Sequence, residues 1–154
     1  MIELEKYYRV VVPHVCPNGG CGDCCKYHCG QLEMLREEYL AIKKKLSRMS
    51  RSELLKRRSD LDCLPEGSCP LVDREGKCLV YEVRPLICRM FGNHQRMRCP
   101  HGENLQLVEY RHLTVVKEYF AKARPFDLRK LLTPKDSRLR TVEREATFAV
   151  QEVE

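Results

Sequence analysis

Between residues 32 and 49 the apolar positions fall at Leu32, Leu35, Tyr39, Ile42, Leu46 and Met49, spaced alternately three and four apart. That spacing draws one stripe along an amphipathic helix. The pattern predicts a helix from just after Gly30 to about Leu55, with Lys43, Lys44, Lys45, Arg48, Arg51, Lys56, Arg57 and Arg58 on or near its solvated side. A second helix is predicted from an N-cap at Asn104, with Leu105, Val108, His112, Val115 and Tyr119 on one face and Arg124-Pro125 ending it. The alternation Leu105, Leu107, Glu109 leaves a strand open there. Residues 7–12, Tyr-Tyr-Arg-Val-Val-Val, are aromatic and β-branched and stop at Pro13, which predicts a short strand. Residues 126–132 suggest one or two more helical turns, and the polar segment after Pro134 shows no pattern.

The longest apolar run, around Val10-Val11-Val12, is about five residues, whereas a membrane-spanning helix needs roughly 20. No bilayer span and no membrane partner is expected. Acidic residues stand in the segment Met1-Ile-Glu-Leu-Glu where a secretory leader carries basic ones, and no apolar stretch follows, so a cytoplasmic location is expected. At 154 residues, 43% hydrophobic and 32% charged, with mean hydropathy −0.48, the chain reads as one globular domain over residues 1–154. The expected fold is a small α+β domain, mostly helical, with an irregular cysteine-rich core flanked by amphipathic helices. Residues 16–99 would form a metal-binding region and residues 100–154 a helical C-terminal extension.

All 10 cysteines lie between Cys16 and Cys99. In a reducing compartment such density points to metal ligands or catalytic thiols rather than disulfides. It also changes the meaning of the formal charge of +6. Metal ligation deprotonates thiols, so if eight thiolates held two divalent ions the net charge would fall to about +2.

The first cluster, Cys16-Pro-Asn-Gly-Gly-Cys21-Gly-Asp-Cys24-Cys25-Lys-Tyr-His-Cys29, contains a Cys-x-x-Cys pair whose sulfurs can converge on one ion. Gly19, Gly20 and Gly22 permit the positive φ of a tight ligand turn. If Cys24 and Cys25 are extended, they point to opposite faces and either serve two ions or divide into a ligand and a packing residue. The second cluster, Cys63, Cys69, Cys78, Cys88 and Cys99, is spaced too widely for one knuckle. Its ligands would come from successive turns: Gly67-Ser68 before Cys69, residues 73–76 before Cys78, and a helical turn opened by Pro85 that holds Cys88.

The Cys-x-x-Cys-Cys stretch together with Cys69-Pro-Leu-Val-x5-Cys78-Leu-Val-Tyr-Glu-x-Arg84-Pro85-x-x-Cys88-Arg89-x-Phe91 resembles the YkgJ-like cysteine-cluster (CxxCxxCC) family of zinc- or iron-chelating proteins. The resemblance covers roughly residues 16–99. It implies eight metal-site cysteines, which fall here at Cys16, Cys21, Cys24, Cys25, Cys69, Cys78, Cys88 and Cys99. Two features depart from the family pattern. Cys16 and Cys21 have four residues between them where the family has two, and Cys29 and Cys63 are additional candidates, either able to take the place of Cys16. The family also resembles the cysteine-rich part of flagellin lysine N-methylases, which implies an alternative, an Fe–S-dependent enzyme or redox factor acting on a protein partner. No methyl-donor site is recognisable in this chain.

Four-sulfur sites suit zinc and iron–sulfur clusters alike, so the expected cofactor is zinc or an iron–sulfur cluster in one or two centres. The ferredoxin run of cysteines and the spacing of radical S-adenosylmethionine enzymes are both absent. His28 and His101 adjoin cysteines and are candidates to complete a Cys3His set, while His14 and His94 read as ordinary histidines and His112 reads as core. Arg84 and Arg89 are expected to offset thiolate charge by hydrogen-bonding toward sulfur, or else to pair with Glu82 and Glu75. Between Glu33 and Arg58 nine Lys/Arg stand against four Glu, a surface that could attract nucleic-acid phosphates. Without interleaved aromatics, a solvated helix face is the simpler reading and nucleic acid is not an expected partner. Hydrolase, zinc-protease, phosphate-loop and dinucleotide motifs are all missing. A thioredoxin-like role for Cys21-Gly-Asp-Cys24 lacks the alternating strands and helices it requires.

Overall fold

A computed structural model describes residues 2–11, 21–27, 32–92, 97, 99, 101 and 113–132. Within them the chain forms α1 (Ile2–Tyr8), α2 (Asp23–Tyr27), β1 (Leu32–Met34), α3 (Arg36–Leu46), α4 (Arg51–Leu61), a 3-10 turn (Tyr81–Val83), α5 (Leu86–Met90), α6 (Leu113–Lys122), β2 (Arg124–Phe126) and a 3-10 turn (Leu128–Leu132). The fold is α+β and mostly helical, as the sequence predicts. The one sheet among the described residues is the antiparallel pair β1–β2, with Leu32 opposite Phe126 and Met34 opposite Arg124. Among the described residues no helix is long and apolar enough to cross a membrane.

Two predicted elements take a different form. The strand over residues 7–12 does not form in its described part: Tyr7 and Tyr8 end helix α1, Arg9 to Val11 leave it in a turn, and Val12 lies outside the described residues. Leu4, Tyr7, Tyr8 and Val11 repeat at helical spacing and pack in the cluster that α6 shares, which favours helix over strand at the two tyrosines. The single helix predicted to Leu55 is three elements. Leu32 and Met34 are buried with Glu33 exposed between them, the alternation of a strand, so only the part of the stripe from residue 36 onward is helical. The helix stops at Leu46 and restarts at Arg51, because Ser50 caps α4: its Oγ accepts from the Glu53 N–H at 3.3 Å while the Glu53 carboxylate accepts from the Ser50 N–H at 2.7 Å. In the C-terminal part, Pro125 sits in β2 and the predicted helical turn is the 3-10 segment Leu128–Leu132. The proposed start at Asn104, with Leu105, Val108 and His112, lies outside the described residues.

Among the described residues two apolar clusters form the interior. One gathers Leu32, Met34, Ile42, Leu46, Leu71, Val72, Val80, Leu128 and Leu132; the other gathers Tyr7, Val11, Leu35, Leu86, Met90, Val116, Tyr119 and Ala123. Glu38, completely buried, stands on the α3 face between Leu35 and Ile42. Its carboxylate accepts from the Leu35 N–H (2.9 Å), the Leu86 N–H (2.7 Å), the Tyr8 hydroxyl (3.0 Å) and the Tyr119 hydroxyl (2.5 Å). Burial and the neighbouring Glu38 charge push both tyrosine hydroxyls up, which keeps them protonated donors. One side chain thus ties α1, α3, α5 and α6 together.

A second polar cluster joins α4 to the loop after it. Arg57 reaches buried Asp73 at 3.1 Å and Asp60 at 3.7 Å, and Arg74 reaches Asp60 at 2.8 Å. Arg57 therefore does not belong to the solvated face predicted for it.

Removing the Glu38 carboxylate strands two backbone N–H groups and two hydroxyls, each worth about 1–3 kcal/mol when buried unpaired. Glu38→Ala is expected to destabilise the chain by about 3 kcal/mol or more, and Glu38→Gln by less, in chemical denaturation. At the surface, Lys6, Lys122 and Tyr7 hold the Glu118 carboxyl down at about 2. A depressed folded-state value contributes stability that is complete above the ordinary carboxylate range and lost as pH falls toward 2. Glu118→Gln should flatten that part of the stability–pH curve.

Candidate metal centre

The Cys21-Gly-Asp-Cys24 segment can turn tightly only because Gly22 adopts φ +68° and lies against a second left-handed glycine, Gly76, at φ +84°. A Cβ on Gly22 would stand 2.4 Å from the Gly76 carbonyl oxygen, and a Cβ on Gly76 would stand 2.4 Å from that of Cys21. The two backbones therefore touch where side chains would otherwise separate them. Beyond Gly22 the chain enters α2, whose turn is closed by the Cys25 N–H donating to the Gly22 carbonyl at 2.9 Å.

Cys24 and Cys25 are accordingly helical neighbours, not the extended pair considered from sequence. Their sulfurs are 4.0 Å apart and both face the same cavity. Two sulfurs bound to one tetrahedral ion lie about 3.8 Å apart, as follows from bonds of about 2.3 Å. The opposite-face arrangement does not occur.

The second cluster reaches the cavity by turns at the predicted places. Ser68 donates through Oγ to the Lys26 carbonyl (3.0 Å), and the Cys69 N–H donates to the Cys25 carbonyl (2.7 Å), so this turn is bolted to α2. From Leu71 to Leu79 the chain doubles back through an isolated bridge between Val72 and Cys78, and Asp73 Oδ1 holds the turn by accepting from the Lys77 N–H at 2.6 Å. Pro85 starts α5, whose first turn carries Cys88.

Seven of the eight cysteines assigned from sequence line this one cavity: Cys21, Cys24, Cys25, Cys69, Cys78, Cys88 and Cys99. Its space is about 50 Å³, enough for a few ion- or water-sized bodies. Apolar side chains, among them Leu32, Ile42, Leu71, Val80 and Leu128, complete the wall. No disulfide joins the described cysteines. The hydrogen bond with Cys25, followed by burial, pushes the Cys24 thiol up, and burial pushes up Cys78; the Arg84 charge works against both shifts. Without an ion these thiols stay protonated.

Arg84 lines the cavity with its guanidinium 3.9 Å over the Tyr81 ring, close enough for its charge to favour thiolate at Cys24 and Cys78. Arg89 donates to the carbonyls of Arg84 (2.9 Å) and Glu82 (3.0 Å) and lies 4.3 Å over the Tyr8 ring, which fixes the backbone around Arg84. The Glu82 carboxylate pairs with Lys45. Cys63 is exposed at the end of α4, away from the cavity, and its sulfur accepts from Arg74 Nη2 at 3.0 Å. Cys16, Cys29, His14, His28, His94 and His112 lie outside the described residues.

Sequence reasoning gave no role to Asp23. It sits at the cavity mouth in contact with His101 Nε2 and accepts from Lys26 Nζ at 3.4 Å; the hydrogen bond to His101, then the one to Lys26, holds its carboxyl below the usual range. The signal available was an acidic residue inside Cys-x-x-Cys together with a histidine two residues after Cys99. Glu38 and the Gly22–Gly76 contact were missed as well, because both are tertiary.

Gly76→Ala is expected to cost about 2 kcal/mol or more and to lower metal retention, since left-handed strain adds to the collision with Cys21. Gly67→Ala is the control. Its φ is also positive, at +82°, but its Cβ would meet nothing within 4 Å, so only strain of about 1–2 kcal/mol is expected and metal content should hold.

Neither the curated proteins nor the solved structures contain a significant match to the chain. A family model does match, over residues 15–119, and its description is "CxxCxxCC: Putative zinc- or iron-chelating domain". That span exceeds half of the 154 residues and contains every cysteine that lines the cavity, so the chain is a metal-binding member of the CxxCxxCC family.

Proposed function

We propose that the chain works as a cytoplasmic holder of zinc or an iron–sulfur cluster, with Cys21, Cys24, Cys25, Cys69, Cys78, Cys88 and Cys99 as ligands and Cys16 as the eighth. The observation that carries this reading is the convergence of seven thiols, drawn from five separate stretches of chain, on one small apolar cavity. Soft sulfur donors in such number select zinc and iron–sulfur centres over hard ions such as magnesium or calcium. Arg84 supplies charge beside the thiolates, and the apolar wall limits water access to the bound centre. Arg89 acts through Arg84 as a positioning residue.

This arrangement also suits holding better than turnover of a larger substrate. Seven soft donors around one small space can satisfy an ion with protein sulfur alone, which leaves no open ligand position for a substrate. The whole chain serves as one metal-organised domain in this reading, because residues 113–132 contribute to the same interior as the cysteine region.

Anaerobic purification followed by elemental analysis for zinc, iron and acid-labile sulfide, with a visible spectrum, tests the proposal. Stoichiometric zinc in a colourless protein, or iron and sulfide in a brown one, supports it and identifies the centre. A protein that keeps neither metal and gains no structure when zinc or iron with sulfide is supplied would overturn it. Cys78→Ser and Cys88→Ser should lose most of the bound metal, whereas Cys63→Ser should retain it. Because thiols raised by burial must deprotonate, loading should release protons into weak buffer and acid should strip the metal.

A further inference from the structure

At the cavity mouth three donors of different kinds stand together: the Cys21 sulfur, the Asp23 carboxylate and the His101 imidazole, all within 4.8 Å of one another. We propose that these residues form a second site, joined to the thiolate cavity through the shared Cys21 sulfur, that takes an exchangeable divalent ion of the zinc type with its fourth position open to solvent. The inference goes beyond the cavity reading and holds whichever ion the cavity contains.

The donor chemistry is the first argument. Sulfur, oxygen and imidazole nitrogen bind zinc at about 2.3, 2.0–2.2 and 2.0–2.1 Å, so donors around one tetrahedral ion stand about 3.3–3.8 Å apart. Separations within 4.8 Å close to that range by rotation of side chains. Asp23 and His101 already turn their ligating atoms toward each other, Oδ2 against Nε2, so both aim at the place where an ion would sit.

Placement is the second argument. Cys21 lines the cavity and also belongs to the mouth group, and Cys99, two residues before His101, lines the cavity as well. The same two stretches of chain therefore build both sites. The His101 side chain is 44% exposed and that of Asp23 32%, so an ion here meets water. Three protein ligands and one solvent position describe an open site, and four sulfurs describe a closed one. The Asp23 carboxylate and the shared Cys21 thiolate supply negative charge to the ion, and the nearby Lys26 ammonium restrains its affinity and keeps it exchangeable.

The test uses the full chain as isolated. Its metal content is first measured, and it is then titrated anaerobically with Zn2+ against a competing colorimetric chelator, alongside His101→Ala and Asp23→Asn. Because His101 and Asp23 lie at the surface, both variants should keep the native circular dichroism spectrum. The expected result is that the native chain takes up about one ion more than either variant, and that the chelator removes this ion fast while the metal present at isolation stays. Equal uptake by native and variant chains would overturn the proposal, as would an extra ion that leaves no faster than the rest. A native chain that arrives metal-free and binds zinc only to the extent lost in His101→Ala would support the mouth site and refute the cavity reading, so the two stand or fall separately.

Discussion

A single buried carboxylate holds the two halves of this small interior in register. Glu38 accepts four hydrogen bonds from α1, α6, the start of its own helix α3 and the start of α5. A charge taken out of water is tolerable only when its lone pairs are filled in this way. The demand for four donors fixes how the elements approach, and α5 matters most, because it carries Cys88 and follows directly on Arg84 and Pro85. The placement of Cys88 thus depends on a contact that touches no sulfur.

The metal region itself has little regular structure to lean on. Between α4 and α5 the chain advances by turns, one isolated bridge and a 3-10 segment. Its local order comes instead from cross-links between loops: Ser68 and Cys69 to α2, Arg57 and Arg74 to Asp60 and Asp73, and Asp73 to Lys77. Each is modest alone. An ion that joined ligands from these segments would add long-range closure between them, and its binding free energy would then be folding free energy.

What could be read from the residues alone was mainly chemistry and turn positions. Pro85 before Cys88, the turn over residues 73–76 and the Cys-x-x-Cys pair all fall where the sequence placed them, because glycine, proline and aspartate act locally. Element identity was less legible. The stripe from Leu32 to Met49 runs unbroken through a strand, a helix and an interhelical turn, since tertiary pairing with β2 and the Ser50 cap decide the boundaries and hydrophobic spacing does not register them. Tyr7 to Val11 misled in the opposite direction, because Val10 and Val11 follow a helix that packs with α6. Glu38 could not be found at all, as an acidic residue in the first turn of a helix ordinarily faces water.

The Gly22–Gly76 crossing sets a limit on how this sequence can vary. Each glycine lies against backbone of the other's segment, so a side chain at one position cannot be accommodated by shrinking the side chain at the other, which is already absent. Most packing errors in a protein interior can be repaired by a compensating exchange nearby. This one has no such partner, and the two positions are locked independently, one inside the first cysteine cluster and one in the turn of the second. A drift that kept every cysteine but altered either glycine would leave the ligands intact and take away the place where their two loops meet.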